Sequence, residues 1–403
     1  MRQVQKDHHA NNAPSDKPST GTLHPSSPPR LLQLRSSYTD EGRVKQPSMN
    51  DGNQLPTVYQ DPVKEFGGHE DGITSIATFP DGERIVTGSL DKTIRIWRIE
   101  DGKEMQKWCV KQIVGALVIS RDGKHVVSGE GSFDQTEHWE LWVRDAETGR
   151  IVAGPLHGHT NLVFALDISL DGLTLVSGSW DCTVILWDTT TWQKKGDPLE
   201  CGAHVTWVQF SPNGQLGVAT SIDNQIWDSD RRERSAQFKG HADFKKAWNF
   251  SFTWTHDGAY LLSAGGEGVI RSWDISMGVP VGIPWTGHNA NEGINHIILD
   301  PTGTILASAS TDHTVRLWIQ RGTEVSRYQH SNQVLRVTFS ANGRFIFSGE
   351  GNGKLSQWEI SEDVLTAARG DPLPGELKTE VTIFHSHSTH QLMGVHRSRA
   401  ILR

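Results

Sequence analysis

Between residues 57 and 360 the chain alternates short β-branched runs with polar turn pairs at a regular stride. Runs such as RIVTGS, TLVSGS and ILASAS are followed after a short polar break by TIRIW, TVILW and TVRLW. Short runs rich in Val, Ile and Thr, bounded by turn residues, read as strands, and the short break makes each couple an antiparallel pair. Ahead of each couple stands a dipeptide ending in Gly: Asp81-Gly82, Asp122-Gly123, Asp171-Gly172, Asn213-Gly214, Asp257-Gly258, Thr302-Gly303 and Asn342-Gly343. Most are pairs favoured in tight hairpin turns, and a further strand precedes each turn. Every unit therefore predicts about four short strands and no helix, the content of a propeller blade and not of a helical solenoid.

A tryptophan closes each unit. Trp97, Trp142, Trp187, Trp227, Trp273, Trp318 and Trp358 follow one another at 45, 45, 40, 46, 45 and 40 residues, which marks a repeat array. Composition agrees: 15 Trp and 40 Gly stand against 4 Tyr. Hydrophobic residues are 35% and charged ones 21%, with no apolar run near the roughly 20 residues of a membrane helix, so a soluble protein with no membrane partner is expected. The start MRQVQKDHHANN lacks the apolar core of a signal peptide, which predicts an intracellular protein of the cytoplasm, the nucleus or both. Cys109, Cys182 and Cys201 are too few for a disulfide framework and form no CxxC pair for zinc. A net charge of −8 gives no field for nucleic acid, and no direct nucleic-acid partner is expected.

GHEDGITSIATFPDGERIVTGSLDKTIRIW and GHTNLVFALDISLDGLTLVSGSWDCTVILWD resemble WD40 repeats, with the Gly-His opening, the Asp turn and the closing Trp. The resemblance spans roughly 57–360 and also reaches, more loosely, to stand-alone WD40 proteins of filamentous fungi. It implies an all-β, seven-bladed WD40 propeller over 56–360, between a disordered leader (1–55) and a flexible tail (361–403). It also implies that His, Ser or Thr, Asp and Trp form a buried hydrogen-bonded chain in each blade. Complete sets fall at His69, Thr87, Asp91, Trp97; His159, Ser177, Asp181, Trp187; and His288, Ser308, Asp312, Trp318. Blade five (His241, Ser263, Glu267, Trp273) and blade seven (His330, Ser348, Asn352, Trp358) keep the spacing with Glu or Asn for Asp, which predicts weaker chains. Blade two has Val110 at the His position and four extra residues before Trp142. Blade four has Cys201, Ala219 and a gap shortened by two, so neither is expected to build the chain.

Each Ser-His-Asp set could be taken for a catalytic triad, but hydroxyls in mid-strand that recur blade after blade read as scaffolding. Gly129-Glu130-Gly131 and Gly351-Asn352-Gly353 lack the helix and lysine of a phosphate loop. No cofactor is expected. The cluster His385, His387, His390 and His396 has no interleaved carboxylate or thiol, so no metal site is expected either. The segment Pro62–Phe66 precedes the first Gly-His, where later repeats carry the outer strand of the preceding blade; it should close the ring in blade seven, with Val364–Thr366 as competitor.

In WD40 peptide readers the residue five after the His of Gly-His points into the channel mouth, here Thr74, Gly115, Phe164, Thr206, Phe250, Asn295 and Leu335. A second upward series precedes the buried Asp and includes Trp180 and Ile222. Leu162, Phe164, Trp180, Ile222, Trp248 and Phe250 are then expected to form one partner-binding patch, the alternative being that the phenylalanines only plug the channel. The function expected is a non-enzymatic scaffold that binds a peptide or loop of other proteins as part of a complex. The alternative is a propeller hydrolase with its site at the channel mouth, disfavoured because the mouth series holds no Asp, Glu, His or Cys.

Overall fold

The computed structural model describes residues 60–132, 139–239, 241, 249–290, 292–319 and 322–369. Seven four-stranded antiparallel sheets form in sequence order. In blade one the strands run outward as Ile73–Thr78, Arg84–Ser89, Thr93–Arg98 and Glu104–Cys109. The six other innermost strands are Ile113–Ile119, Val163–Ile168, Val205–Phe210, Asn249–Trp254, Ile294–Leu299 and Val334–Phe339. Each inner strand lies beside those of the blades before and after it, and the last lies beside the first, so the seven close a ring about a central channel.

Ring closure falls to Lys64–Phe66, which pairs antiparallel with Leu355–Gln357 as the outer strand of blade seven. Phe66 is buried edge-on against both Trp97 and Phe347, so one side chain pins blade seven to blade one. The competing segment is not a strand. The stretch expected as a flexible tail opens with a helix, Glu362–Arg369, whose Val364 and Ala368 bury in the seam of blades six and seven. Acidic Glu362 and Asp363 sit at its positive end. The expected leader, the rest of the tail and its four histidines lie outside the described residues.

The core lies in the seams between sheets. Val86, Ile94 and Ile96 of blade one, for example, pack on Val114, Leu117 and Ile119 of blade two. The glycines of the TGS and SGS runs serve this approach: a Cβ on Gly178 would sit 2.6 Å from Val205 of the next blade. All seven turn glycines, from Gly82 to Gly343, have positive φ, the reason the turn pairs end in Gly.

Two registers differ from the sequence expectation. In blade three Trp187 pairs with Leu175, two residues before Ser177. In blade two Ser128 is the hydroxyl position, and Val126, two residues before it, pairs with Arg144 while Trp142 pairs with Ser128 itself. Arg144, not Trp142, is thus the counterpart of the closing Trp. In blade four the turn after Phe210 is one residue shorter, so Trp227 pairs with Leu216 and the hydroxyl position is Val218, not Ala219.

Candidate functional site

The buried chain takes the same form in blades one, three and six. His69 Nδ1 lies 2.8 Å from Asp91 and Nε2 2.7 Å from Thr87, whose hydroxyl accepts from Trp97 Nε1 at 2.9 Å. In blade three His159 is 2.9 Å from Asp181 and 2.8 Å from Ser177, and Trp187 donates to Ser177 at 2.9 Å. In blade six the same three distances, around His288, Asp312, Ser308 and Trp318, are 2.7, 2.6 and 2.8 Å. A carboxylate only accepts, so Nδ1 carries the proton and Nε2 accepts from the hydroxyl. Burial tends to raise the carboxyl of Asp181, but the hydrogen bonds from His159, the Thr183 hydroxyl and the Thr160 amide outweigh it and bring it to about 2. Ser177 is fully buried with its oxygen already occupied by the Trp187 indole, which leaves no approach for a substrate.

Glu267 replaces Asp in blade five without breaking the chain. It meets His241 at 2.6 Å, is held by Arg271 at 2.9 Å, and is lowered to about 2, chiefly by the His241 hydrogen bond. His241 Nε2 is 3.1 Å from Ser263, which accepts from Trp273 at 2.8 Å. Blade seven differs: His330 Nε2 keeps Ser348 at 2.7 Å and Trp358 donates to Ser348 at 2.9 Å, but His330 Nδ1 turns to the Tyr328 carbonyl at 3.1 Å. Asn352, expected in this chain, stands outside it. Its Oδ1 accepts from the Lys354 amide as Asp91 Oδ1 does from Thr93, but its second atom is an amide donor, which cannot accept from an imidazole N–H.

The two blades without the His chain build others. In blade two Arg144 donates to Ser128 at 2.8 Å and to Glu130 at 2.5 Å, with Ser128 also donating to Glu130 at 2.6 Å. In blade four Trp227 donates to Gln225 at 3.1 Å, and Gln225 donates to Asp223 at 3.0 Å and to the Cys201 carbonyl at 2.8 Å.

Backbone bonds such as Trp180 N to Leu162 O (2.9 Å) and Leu90 N to Gly72 O (3.0 Å) tie the Asp turns to the segments entering the inner strands, so both sets of loops share one end of the ring. At that end every inner strand carries a β-bulge. The residue skipped in the pairing is Thr74, Gly115, Phe164, Thr206, Phe250, Asn295 or Leu335, the whole of the mouth series. Bulges re-aim side chains, and here several turn toward the next blade. Thr74 Oγ1 donates to the Val114 carbonyl at 2.7 Å and Asn295 to that of Val334 at 2.8 Å. Thr206, Asn295 and Leu335 are buried, not displayed at the mouth.

The expected patch is correspondingly packed. Leu162 and Trp180 are only 4% and 8% exposed, Phe164 and Phe250 are half-buried, and Ile222 is 52% exposed. Trp248 lies outside the described residues. Trp180 is covered because it stacks on Phe164 at 6.1 Å and 16° and tilts against His204 at 5.6 Å. Trp180 and Leu162 are therefore packing residues and are not displayed at the mouth as expected.

Three residues that sequence reading missed meet nearby. The residue after each bulge is Ser or Ala in blades one, two, three and five (Ser75, Ala116, Ala165, Ser251) but Trp207, His296 and Arg336 in blades four, six and seven. Arg336 is 5.4 Å from the Phe164 ring and 6.0 Å from that of Trp207, and Trp207 meets His296 at 4.7 Å. Their signal in the sequence was a bulky or charged residue one position beyond the mouth series. Burial brings Arg336 down to about 10, and burial with the Arg336 charge brings His296 down to about 3. Among the described residues no cluster of three His, Cys, Asp or Glu side chains is placed to hold a metal, and no helix is long and apolar enough to cross a membrane.

The WD40 family (WD domain, G-beta repeat) matches residues 60–98, 151–188, 232–274, 278–318 and 322–359. These stretches end in blades one, three, five, six and seven, those with a His-hydroxyl-Trp chain. Nuclear distribution protein PAC1 of Arthroderma otae is 27% identical over 329 residues, covering 73% of this chain and 60% of that protein. Autophagy-related protein 16 of Arabidopsis thaliana is 23% identical, covering 72% of this chain and 56% of the relative. Denticleless protein homolog A of Xenopus laevis is 24% identical, with shares of 75% and 42%. The chain thus spans about 60% or less of the length of these relatives.

Proposed function

Because the chain belongs to the WD40-repeat family of β-propellers, whose members are mostly non-enzymatic scaffolds for protein interaction, we propose that it binds a peptide or loop of partner proteins at the bulged end of its ring, inside the cell and without catalysis. The observation that carries this reading is the pairing of rigidity with access there. Phe164 is held between neighbours yet partly exposed, Phe250 is partly exposed on the inner strand of blade five, and Ile222 projects from the turn of blade four. Pre-positioned aromatic groups lose little entropy on binding, and an anchor of this kind is worth about 2 kcal/mol or more.

A second reading rests on the outer strand of blade five. Val279, Val281 and Ile283 alternate along Val279–Trp285 at 42%, 36% and 82% exposure, beside Met277 at 71%. A row of exposed apolar side chains on the rim is a surface a partner can cover. The test is a comparison of wild type, Ile222→Asp with Phe250→Ser, and Val279→Asp with Ile283→Asp. Each partner recovered with the wild type is titrated against both variants. A loss of about 30-fold or more confined to the first variant, at unchanged melting temperature, is expected. Loss confined to the second moves the working surface to the rim.

A further inference from the structure

The contacts of Arg336 cross the ring. It belongs to blade seven, yet its guanidinium lies over Phe164 of blade three and Trp207 of blade four, while Trp207 touches His296 of blade six. Blades that are not neighbours meet only across the central channel, so these side chains occupy its bore. Small residues at the corresponding positions of four blades leave the room they fill.

The group is electrically incomplete. Arg336 is 6% exposed, and among the described residues one of its five N–H donors has an acceptor, the carbonyl of Leu335 at 2.9 Å. Among the described residues no carboxylate pairs with it. Trp207 Nε1 is buried and has no hydrogen-bond partner among the described residues. A desolvated guanidinium left unpaired is costly, and an anion seated against it would recover much of that cost. The charge count selects the anion: His296 is neutral at pH 7, the indole is neutral, and one positive charge is balanced by a monoanion. A phosphate dianion would leave the bore negative.

We propose that the central channel holds a carboxylate, bound by the guanidinium of Arg336 with the indole N–H of Trp207 as a second donor. The two oxygens of a carboxylate match the planar fork of arginine and keep a lone pair for the indole. The group comes either from a small free acid or from an acidic side chain that a peptide inserts past Phe164 and Phe250.

The experiment follows melting temperature and the Trp207 indole N–H resonance of the full chain at pH 7. Sodium acetate is titrated against equal sodium chloride, and a capped Gly-Glu-Gly peptide against its Gly-Gln-Gly counterpart. Wild type is expected to be stabilised by a carboxylate and its indole resonance to shift. Arg336→Met should be at least as stable as wild type without carboxylate and should not respond, and Trp207→Phe should bind about tenfold more weakly. A response to both acetate and peptide, or to acetate alone, identifies a site for a free acid, and a response to the Glu peptide alone identifies an inserted side chain. No response of wild type to either, or equal responses of wild type and Arg336→Met, overturns the proposal. If Arg336→Met does not fold, an unchanged affinity in Trp207→Phe overturns it. The acetate arm does not depend on the bulged end being a partner surface, so the two proposals fail separately.

Discussion

At the scale of single residues, the same buried position accepts different chemistry as long as every donor finds an acceptor. An indole N–H donates to a hydroxyl in five blades, to an amide oxygen in blade four, and is replaced by a guanidinium in blade two. The guanidinium brings a charge, and that is why Glu130 stands beside it, 5% exposed. Removing one member of such a pair strands the other. Arg144→Leu is therefore expected to destabilise the protein by about 3–5 kcal/mol, and Arg144→Leu with Glu130→Leu to recover most of that loss. Thermal unfolding of the three proteins checks it; a double variant no more stable than the single one would contradict this pairing.

At the scale of elements, the first described strand is the least expendable for its size. Lys64–Phe66 has three residues, but it supplies the fourth strand of blade seven and covers an edge that would otherwise stay open. Its Phe66, 1% exposed, also packs into blade one. Phe66→Ala is expected to cost about 3–5 kcal/mol, more than Val63→Ala, whose side chain is 53% exposed in the same segment. Hydrogen exchange should show added opening in Leu355–Glu359 first, and exchange that rises uniformly through all blades would count against a local closure.

At the scale of the whole molecule, the repeated chains tie stability to pH. Burial holds His330 down at about 4, against the usual 6.5, and lowers His288 as well. At these histidines the unfolded chain therefore binds more protons than the folded one below pH 6.5, which lowers stability as pH drops from 6.5 toward 4 by at most about 3 kcal/mol for His330, while Asp167, which burial pushes up to about 6, acts in the opposite sense. Asp181 and Glu267, at about 2 when folded, add a second loss from about pH 4.5 downward as the unfolded carboxyls take up protons first. Melting temperature is expected to be level near pH 7–8 and to fall in two stages on acidification. The first stage should be smaller in His330→Asn. A first stage as large in His330→Asn as in wild type would contradict this linkage.

Much of the repeat was legible in the chain itself, because hairpin turns, strand alternation and the His-Ser-Asp-Trp spacing are local and recur. The blade number, the closing segment (expected at Pro62–Phe66, paired at Lys64–Phe66) and the complete sets in blades one, three and six could be read from residues close in sequence. Position within a pair of strands was harder: a turn one residue shorter moved the hydroxyl site of blade four to Val218, and the longer hairpin of blade two put Arg144 where Trp142 was expected. Asn352 kept the spacing but lacked the acceptor. What lay wholly beyond the sequence was contact across the ring. Arg336, Trp207 and His296 are far apart in the chain, and their common place one position beyond the mouth series does not say that they touch. They meet because seven inner strands curl round one axis, and only that closure decides which side chains share the bore and which are covered.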